Sequence, residues 1–257
     1  MSALLTTRFY SDTLRLCVTA DVILPQRKDL EAGHPLKCLY LLHGMFGNHS
    51  DWQRKTGIER YASGLGLAVV MPSGLNSFYT DMAHGGRYHA FITEELPSKM
   101  RLFFPLSGKR EDTYIAGLSM GGAGSLSIGL AHPEKYSAIG CLSAGSMVLH
   151  QEELEPKYAR AAFGDASIEG TRMDPIASAK AIIRNHLPAP RIYHACGTED
   201  DLLPIARKTR DALTAFPGDP FDYTYEESPG GHTWAFWDER IAHFIRFLDL
   251  KPQPEWI

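Results

Sequence analysis

The residues with the clearest chemical meaning form the pentapeptide Gly117-Leu118-Ser119-Met120-Gly121, which fits GxSxG. It directly follows the apolar run Thr113 to Ala116 and precedes a segment of helical spacing that begins near Ala123. Such a strand-to-helix turn needs glycines around the serine, because side chains there would collide with neighbouring backbone. The turn exposes the hydroxyl, and the following helix N-terminus favours the negative charge that develops in acyl transfer. Ser119 is therefore the candidate nucleophile.

A serine hydroxyl is a weak nucleophile, so a base must lie within hydrogen-bond reach and a carboxylate must orient that base. In enzymes with this turn, the acid and then the histidine follow the serine along the chain. Of the eleven histidines, His232 fits this order and lies in a Gly-Gly turn between the last predicted strand and the last predicted helix. His232 is the candidate base.

The orienting acid is expected after the apolar run Ile192 to Ala195. Three consecutive carboxylates stand there, Glu199, Asp200 and Asp201. We favour Asp200, but spacing alone does not separate adjacent positions, so the other two remain alternatives. A solvated acidic cluster at a helix N-terminus is the non-catalytic explanation of all three.

An oxyanion hole would complete the chemistry, with backbone N–H groups as donors. The residue after the nucleophile, Met120, supplies one donor, and a loop after an early strand supplies the second. That loop is Leu42-His43-Gly44-Met45-Phe46-Gly47-Asn48. We expect Met45 to be the second donor, with Phe46 as the alternative.

Other candidate ligands are weaker. Trp234 stands two residues after His232 and is expected to line the pocket. Asp81, His84 and His89 could be imagined around a metal ion, but their loop has no metal-ligand spacing. The sequence therefore predicts neither a metal site nor a cofactor.

Short apolar runs alternate with segments of helical spacing after an opening hairpin of Thr7 to Tyr10 and Arg15 to Leu24. The runs predict strands buried on both faces: Leu39 to Leu42, Ala68 to Met71, Thr113 to Ala116, Ala138 to Leu142 and Ile192 to Ala195, followed by Phe221 to Glu226. The predicted helices are Asp51 to Gly64, His89 to Phe103, Ala123 to His132, Pro175 to Asn185, Leu203 to Phe216 and Trp234 to Leu248. This alternation predicts an α/β fold, a mostly parallel sheet with helices on both faces.

The segment from Ser146 to Arg172 is less periodic, and we interpret it as a small cap or insertion over the carboxyl edge of the sheet. The remaining pattern contains no linker or repeat. Residues 1–257 are therefore predicted to form one domain.

Composition limits the partners. The formal net charge is -4, and no run of Lys and Arg is long enough to follow a phosphate backbone, so nucleic acid is not an expected partner. No apolar stretch approaches the roughly 20 residues that cross a bilayer. The N-terminus lacks a basic region before its apolar stretch, so a cytoplasmic protein is expected. A homodimer through an apolar surface is a further possibility.

These motifs together resemble the α/β-hydrolase superfamily, and within it the esterase D-like group of tributyrin esterases, feruloyl esterases and S-formylglutathione hydrolases. The resemblance covers the chain from about Leu39 to Leu248. Its elements are the loop from His43 to Asn48, Asn76-Ser77-Phe78-Tyr79-Thr80-Asp81-Met82, Gly117 to Gly122, Cys196-Gly197-Thr198-Glu199-Asp200 and Pro229-Gly230-Gly231-His232-Thr233-Trp234.

The resemblance implies that Asp200 is the acid and His232 the base. It also implies that the loop from Asn76 to Met82 lies beside the active site, where Tyr79 and Asp81 either shape the pocket or have a structural role in the loop. Phe46 is a further expected substrate contact. S-formylglutathione hydrolases usually carry a histidine after the glycines of the turn, whereas this chain continues Gly122-Ala123-Gly124. That departure favours the tributyrin and feruloyl esterase branch.

The expected activity is hydrolysis of short-chain acyl or aryl esters, including hydroxycinnamoyl esters, through an acyl-enzyme. The partner is then a small-molecule ester. Two alternatives remain: a thioesterase of the S-formylglutathione hydrolase type, and a hydrolase-like binding module without catalysis.

Overall fold

The computed structural model describes residues 2–25, 35–149, 154 and 156–251, and in this part of the chain eight strands form one sheet. The strands are β1 (Ser2–Ser11), β2 (Leu16–Pro25), β3 (Lys37–Leu42), β4 (Leu67–Pro72), β5 (Thr113–Leu118), β6 (Ala138–Leu142), β7 (Arg191–Gly197) and β8 (Tyr223–Ser228). Their spatial order is β1-β2-β4-β3-β5-β6-β7-β8.

The opening hairpin is antiparallel, and β2 also pairs antiparallel with β4. Every later pairing, from β4 with β3 to β7 with β8, is parallel. Strands β4 and β6 are buried along their full length, as expected for apolar runs covered by helices on both faces. The carboxyl ends of β5 to β8 therefore lie along one edge of the sheet.

Helices connect the parallel strands. They are α1 (Asp51–Lys55), α2 (Ile58–Ser63), α3 (Tyr88–Ala90), α4 (Leu96–Phe103), α5 (Met120–Ala131), α6 (Pro156–Phe163), α7 (Pro175–Arg184), α8 (Leu203–Thr214) and α9 (Trp234–Phe247). A π-helical turn, Phe91–Glu95, joins α3 to α4, and a short 3₁₀ turn, Arg110–Asp112, precedes β5. Among these, no helix combines the length and apolar character needed to cross a bilayer.

Two large hydrophobic clusters of described residues lie between the sheet and its helices, and a third, small cluster contains Cys196, Leu203 and Ala206. One large cluster contains Phe91 of the π-helical turn, Leu96 of α4, Leu126 of α5 and Ile182 of α7. The other contains Trp52 of α1, Ile58 of α2 and, from α9, Ile241 and Phe244. The predicted α/β fold, with helices on both faces of a mostly parallel sheet, is confirmed.

The prediction of one helix from Asp51 to Gly64 is wrong. The segment forms α1 and α2 with a break at Thr56 and Gly57. The Gly57 N–H donates to Asp238 Oδ1 of α9 over 2.7 Å instead of continuing the helix. Helix α5 also begins earlier than predicted, at Met120, directly after the serine.

The predicted cap is partly described, since residues 150–153 and 155 lie outside the described part of the chain. Helix α6 lies within it, and two carbonyls of α6 accept hydrogen bonds from the amides of Ala83 and His84, at 2.9 and 3.0 Å. Arg172 forms a 2.6 Å ion pair with Asp81. Both ends of this part of the segment are therefore attached to the loop that follows β4.

Candidate active site

Ser119 lies on the turn between β5 and α5 with a strained backbone, φ 52° and ψ -123°. This conformation is uncommon for a residue with a side chain. A Cβ atom on Gly117 would lie 2.5 Å from the Gly121 backbone, and one on Gly121 would lie 2.5 Å from the carbonyl oxygen of Leu42. Only glycine fits at these positions, for the reason that the sequence pattern anticipates.

The Ser119 side chain faces a small apolar cavity of about 140 Å³. The Ser119 N–H donates to the carbonyl of Leu142 over 2.9 Å, which fixes the turn against β6. The cavity wall is largely apolar and includes Met45, Phe78, Met120, Ala123, Met147, Leu154, Leu202 and Ile205. An apolar chain attached to a group at Ser119 can therefore be buried here.

Asp200 and His232 form a hydrogen-bonded pair at the same edge of the sheet. His232 Nδ1 lies 3.1 Å from Asp200 Oδ1 and 3.0 Å from Oδ2. The Asp200 side chain is fully buried, whereas the His232 side chain is 36% exposed. The alternatives Glu199 and Asp201 are exposed. Of the three adjacent carboxylates, the structure brings Asp200 to the histidine.

A close approach of two loops brings this pair together. A Cβ atom on Gly197 would lie 2.0 Å from the carbonyl oxygen of Gly230. In addition, the Glu199 N–H donates to that same carbonyl over 3.0 Å. The loop after β7 and the loop after β8 are thus in backbone contact, which sets the distance between Asp200 and His232.

Asp200 is held as a carboxylate. Burial would raise its pKa, but hydrogen bonds from His232, the Leu202 amide and Ser143 hold the pKa below its usual value. The Leu202 N–H donates to Asp200 Oδ1 over 2.9 Å. An ionised carboxylate here fixes the Nδ1–H tautomer of His232 and leaves Nε2 as the basic nitrogen.

Sequence reasoning missed Ser143 and Trp237. Ser143 is fully buried after β6, with φ 48°. Its hydroxyl accepts a 2.9 Å hydrogen bond from the Trp237 indole N–H, and its side chain is one of the groups that keep the pKa of Asp200 low. The Trp237 ring also meets the His232 ring edge-on, with centroids 4.9 Å apart. The position of Ser143, directly after a buried strand, is the signal that could have identified it.

The expectation that Trp234 lines the pocket is not met. Its ring packs edge-on against Trp52 and Trp237, with centroid distances of 5.4 and 5.2 Å. Lys55 Nζ lies 4.7 Å from the Trp234 ring centroid. Trp234 therefore supports the helix start beside His232 and stands outside the wall of the Ser119 cavity.

The loop after β3 brings Met45 to the cavity. Among the described residues, the Met45 and Met120 amides have no hydrogen-bond acceptor, whereas the Phe46 N–H donates to Asn76 Oδ1 over 2.8 Å. Gly44 lies against the serine turn, since a Cβ atom on it would be 3.4 Å from Ser119 Cβ. Met45 is therefore the better placed of the two candidates for the second donor.

Tyr79 supports the loop after β3 and does not line the Ser119 cavity. Its side chain is 0% exposed, and its hydroxyl donates to the His43 carbonyl over 2.9 Å. His43 is buried too, which lowers its pKa. Its Nε2 accepts from the Gly74 N–H at 2.8 Å, so its Nδ1–H faces the Gly44 carbonyl at 2.6 Å. Of the two roles expected for Tyr79, the structural one agrees with this burial and hydrogen bond, and the expected substrate contact is not observed.

Phe46, the remaining predicted substrate contact, is 74% exposed. It follows Met45 in sequence but is not part of the wall of the Ser119 cavity. Its ring meets that of Tyr158 on α6, with centroids 5.5 Å apart. Across the described part of the chain, no three His, Cys, Asp or Glu side chains are grouped as metal ligands.

Comparison with known proteins identifies the family. Residues 11–248 match the family described as "Putative esterase". An acetyl esterase of Caldicellulosiruptor saccharolyticus is 35% identical over 265 residues, covering 96% of this chain and 98% of the relative.

Solved structures agree with this assignment. The fluorophosphonate-binding serine hydrolase FphF of Staphylococcus aureus is 32% identical, with a TM-score of 0.88 and coverage of 96% of this chain and 98% of that one. An S-formylglutathione hydrolase from the same organism is also 32% identical, with a TM-score of 0.87 and coverage of 96% and 99%. A ferulic acid esterase at 24% identity, a TM-score of 0.79 and coverage of 96% and 97% shares the fold. The chain belongs to the esterase family of the α/β-hydrolase superfamily, in the esterase D-like group, and it is a serine ester hydrolase.

Proposed function

We propose that the chain hydrolyses short-chain carboxylic esters by acyl transfer through Ser119. The observation that carries the proposal is the shared location of the strained Ser119 turn and the Asp200–His232 pair at one edge of the sheet. The carboxyl ends of β5, β7 and β8 supply the candidate nucleophile, acid and base of a serine hydrolase.

In this mechanism His232 Nε2 takes the proton of the Ser119 hydroxyl as the oxygen attacks the ester carbonyl. Asp200 stabilises the imidazolium that forms, and the Met45 and Met120 amides donate to the oxyanion. The tetrahedral intermediate then collapses, and His232 gives the proton to the departing alcohol. Water repeats the cycle on the acyl-enzyme and releases the acid.

The cavity size favours a short acyl chain. Its volume is about 140 Å³, and a dry cavity of about 150 Å³ in another protein holds one benzene molecule. A hydroxycinnamoyl group, with a ring, a vinyl linker and ring substituents, is larger than that. Acetyl to butanoyl groups fit the space, and they are the acyl class that we propose.

A thioesterase is the second candidate. The similarity to the S-formylglutathione hydrolase of Staphylococcus aureus favours it, since a formyl group would fit the same cavity. The alternative of a non-catalytic binding module is set aside, because the chain is a serine ester hydrolase.

Initial rates on p-nitrophenyl acetate, butyrate and octanoate, methyl ferulate and S-formylglutathione test the proposal, with Ser119→Ala as the inactive control. We expect acetate and butyrate to have the highest kcat/KM, and octanoate and ferulate to be at least tenfold lower. A clear preference for the glutathione thioester would establish the second candidate instead. Turnover retained by Ser119→Ala would contradict the mechanism.

A further inference from the structure

We propose that an apolar groove beside the Ser119 cavity binds the alcohol half of the ester and selects aromatic alcohols. This inference rests on the proposed function and adds the leaving-group class to it. The groove has a volume of about 480 Å³ and is lined by Phe46, Gly47, Leu75, Asn76, Met82, Tyr158 and Ala161.

The groove begins one residue from the proposed oxyanion donor. Met45 lines the cavity beside Ser119, and Phe46 lines the groove. In the tetrahedral intermediate, the acyl chain and the alcohol oxygen are separate substituents of the reacting carbon and point in different directions. If the acyl chain fills the Ser119 cavity, the alcohol must extend toward another side, and the groove offers an apolar surface.

Two of the apolar residues that line this groove have a strained backbone conformation. Phe46 and Leu75 have φ values of 64° and 48°, although neither is glycine. Their side chains are 74% and 59% exposed. A strained backbone costs folding free energy, and exposed apolar side chains do not repay that cost by burial. Strained residues of this kind cluster at ligand sites.

The lining favours an aromatic ring. None of the seven lining residues is itself charged, and Lys157 Nζ lies 5.6 Å from the ring centroid of Tyr158. The Phe46 and Tyr158 rings, at 70° to one another, offer an edge and a face to a third ring. The Met82 thioether adds a soft contact that aromatic rings favour.

Three acetate esters of primary alcohols test this inference, because they form the same acetyl-enzyme and differ only in the departing group. Benzyl and cyclohexylmethyl acetate match in size, and ethyl acetate leaves the groove empty. We expect kcat/KM to fall in the order benzyl, cyclohexylmethyl, ethyl, with benzyl about fivefold above cyclohexylmethyl.

Phe46→Ala and Tyr158→Ala should each lower the benzyl-to-ethyl ratio of kcat/KM about tenfold, mainly through KM. Tyr158 lies on α6, outside the oxyanion loop in sequence, but its ring contacts Phe46 of that loop. The kcat/KM for ethyl acetate therefore serves as the control for any disturbance of Met45. Leu102→Ala removes an equally exposed side chain, 78% accessible on α4, and should keep the wild-type ratio.

An unchanged ratio in both groove variants, with Ser119-dependent turnover intact, would overturn the groove and leave the esterase proposal standing. Equal rates for benzyl and cyclohexylmethyl acetate would overturn the selection for aromatic alcohols. Absence of Ser119-dependent turnover of all three acetates would overturn the proposed function, and the groove assignment with it.

Discussion

Two serines after neighbouring strands share a strained backbone but have different surroundings. Ser119 follows β5 with φ 52°, and Ser143 follows β6 with φ 48°. The first faces the apolar cavity, whereas the second is buried between Trp237 and Asp200. We infer that Ser143 is a positioning residue, because it acts on the reaction only through the Asp200 carboxylate.

Loss of the Ser143 hydroxyl should slow turnover with little change in KM. A hydrogen bond to a charged group contributes about 1.5–3 kcal/mol, which corresponds to a loss of roughly 10- to 100-fold in kcat if it acts fully in the transition state. Steady-state kinetics of Ser143→Ala measure this loss. Ser143→Gly is the matched variant, since glycine tolerates the positive φ and still lacks the hydroxyl. Normal kcat in the glycine variant would show that the hydroxyl has no role in catalysis.

At the scale of elements, the turn between β5 and α5 depends on close backbone contact. A Cβ atom on Gly121 would lie 2.5 Å from the Leu42 carbonyl oxygen and 2.6 Å from that of His43. Those carbonyls belong to the end of β3 and to the proposed oxyanion loop. One added methyl group would therefore push the nucleophile turn and the oxyanion loop apart.

Gly121→Ala should lower both stability and activity. Because the clash is with backbone, we expect a loss of about 2 kcal/mol or more in the free energy of unfolding, together with a large fall in kcat. Gly64→Ala is the control, since a Cβ atom there meets nothing within 4 Å and its φ of -74° suits alanine. Thermal unfolding and esterase rates of the two variants give the comparison. Equal melting temperatures would contradict the packing argument.

Strands could be predicted from the sequence where the burial of an apolar run alone determines their position. The apolar runs of β3 to β7 follow from burial on both faces, and their order along the chain follows from the alternation with helices. The break at Gly57 was not predictable, because its N–H is bonded to Asp238, 181 residues away. Spacing could not single out Asp200 either, because its burial depends on contact between Gly197 and Gly230.

At the scale of the whole molecule, His194 and His89 join His43 as described histidines that are buried and have a lowered pKa. His194 of β7 is fully buried, with Nε2–H donating to the Ala144 carbonyl and Nδ1 accepting from the Tyr223 hydroxyl, at 2.8 and 2.6 Å. Burial lowers its pKa to about 4. Burial also lowers the pKa of His89 to about 4. Folding therefore depends on these rings staying unprotonated.

The protein should lose stability as pH falls from about 6.5 to about 4. In that window the unfolded histidines, with pKa about 6.5, bind protons that the folded ones do not, so acid favours unfolding. The slope is up to about 1.4 kcal/mol per pH unit for each histidine. Urea unfolding at pH 7.5, 6 and 5 measures it. His194→Gln should reduce the pH slope, whereas His84→Gln, at an exposed site, should leave it unchanged. Equal slopes in the two variants would contradict the assignment to His194.

The central claim is that Ser119 is the nucleophile, and covalent labelling tests it most directly. The wild-type protein should gain the mass of one probe when treated with a fluorophosphonate, and digestion should locate the adduct on the peptide containing Ser119. Ser119→Ala, confirmed as folded by its melting temperature, should gain none. A stoichiometric adduct on another residue, or undiminished labelling of the Ser119→Ala variant, would contradict the account.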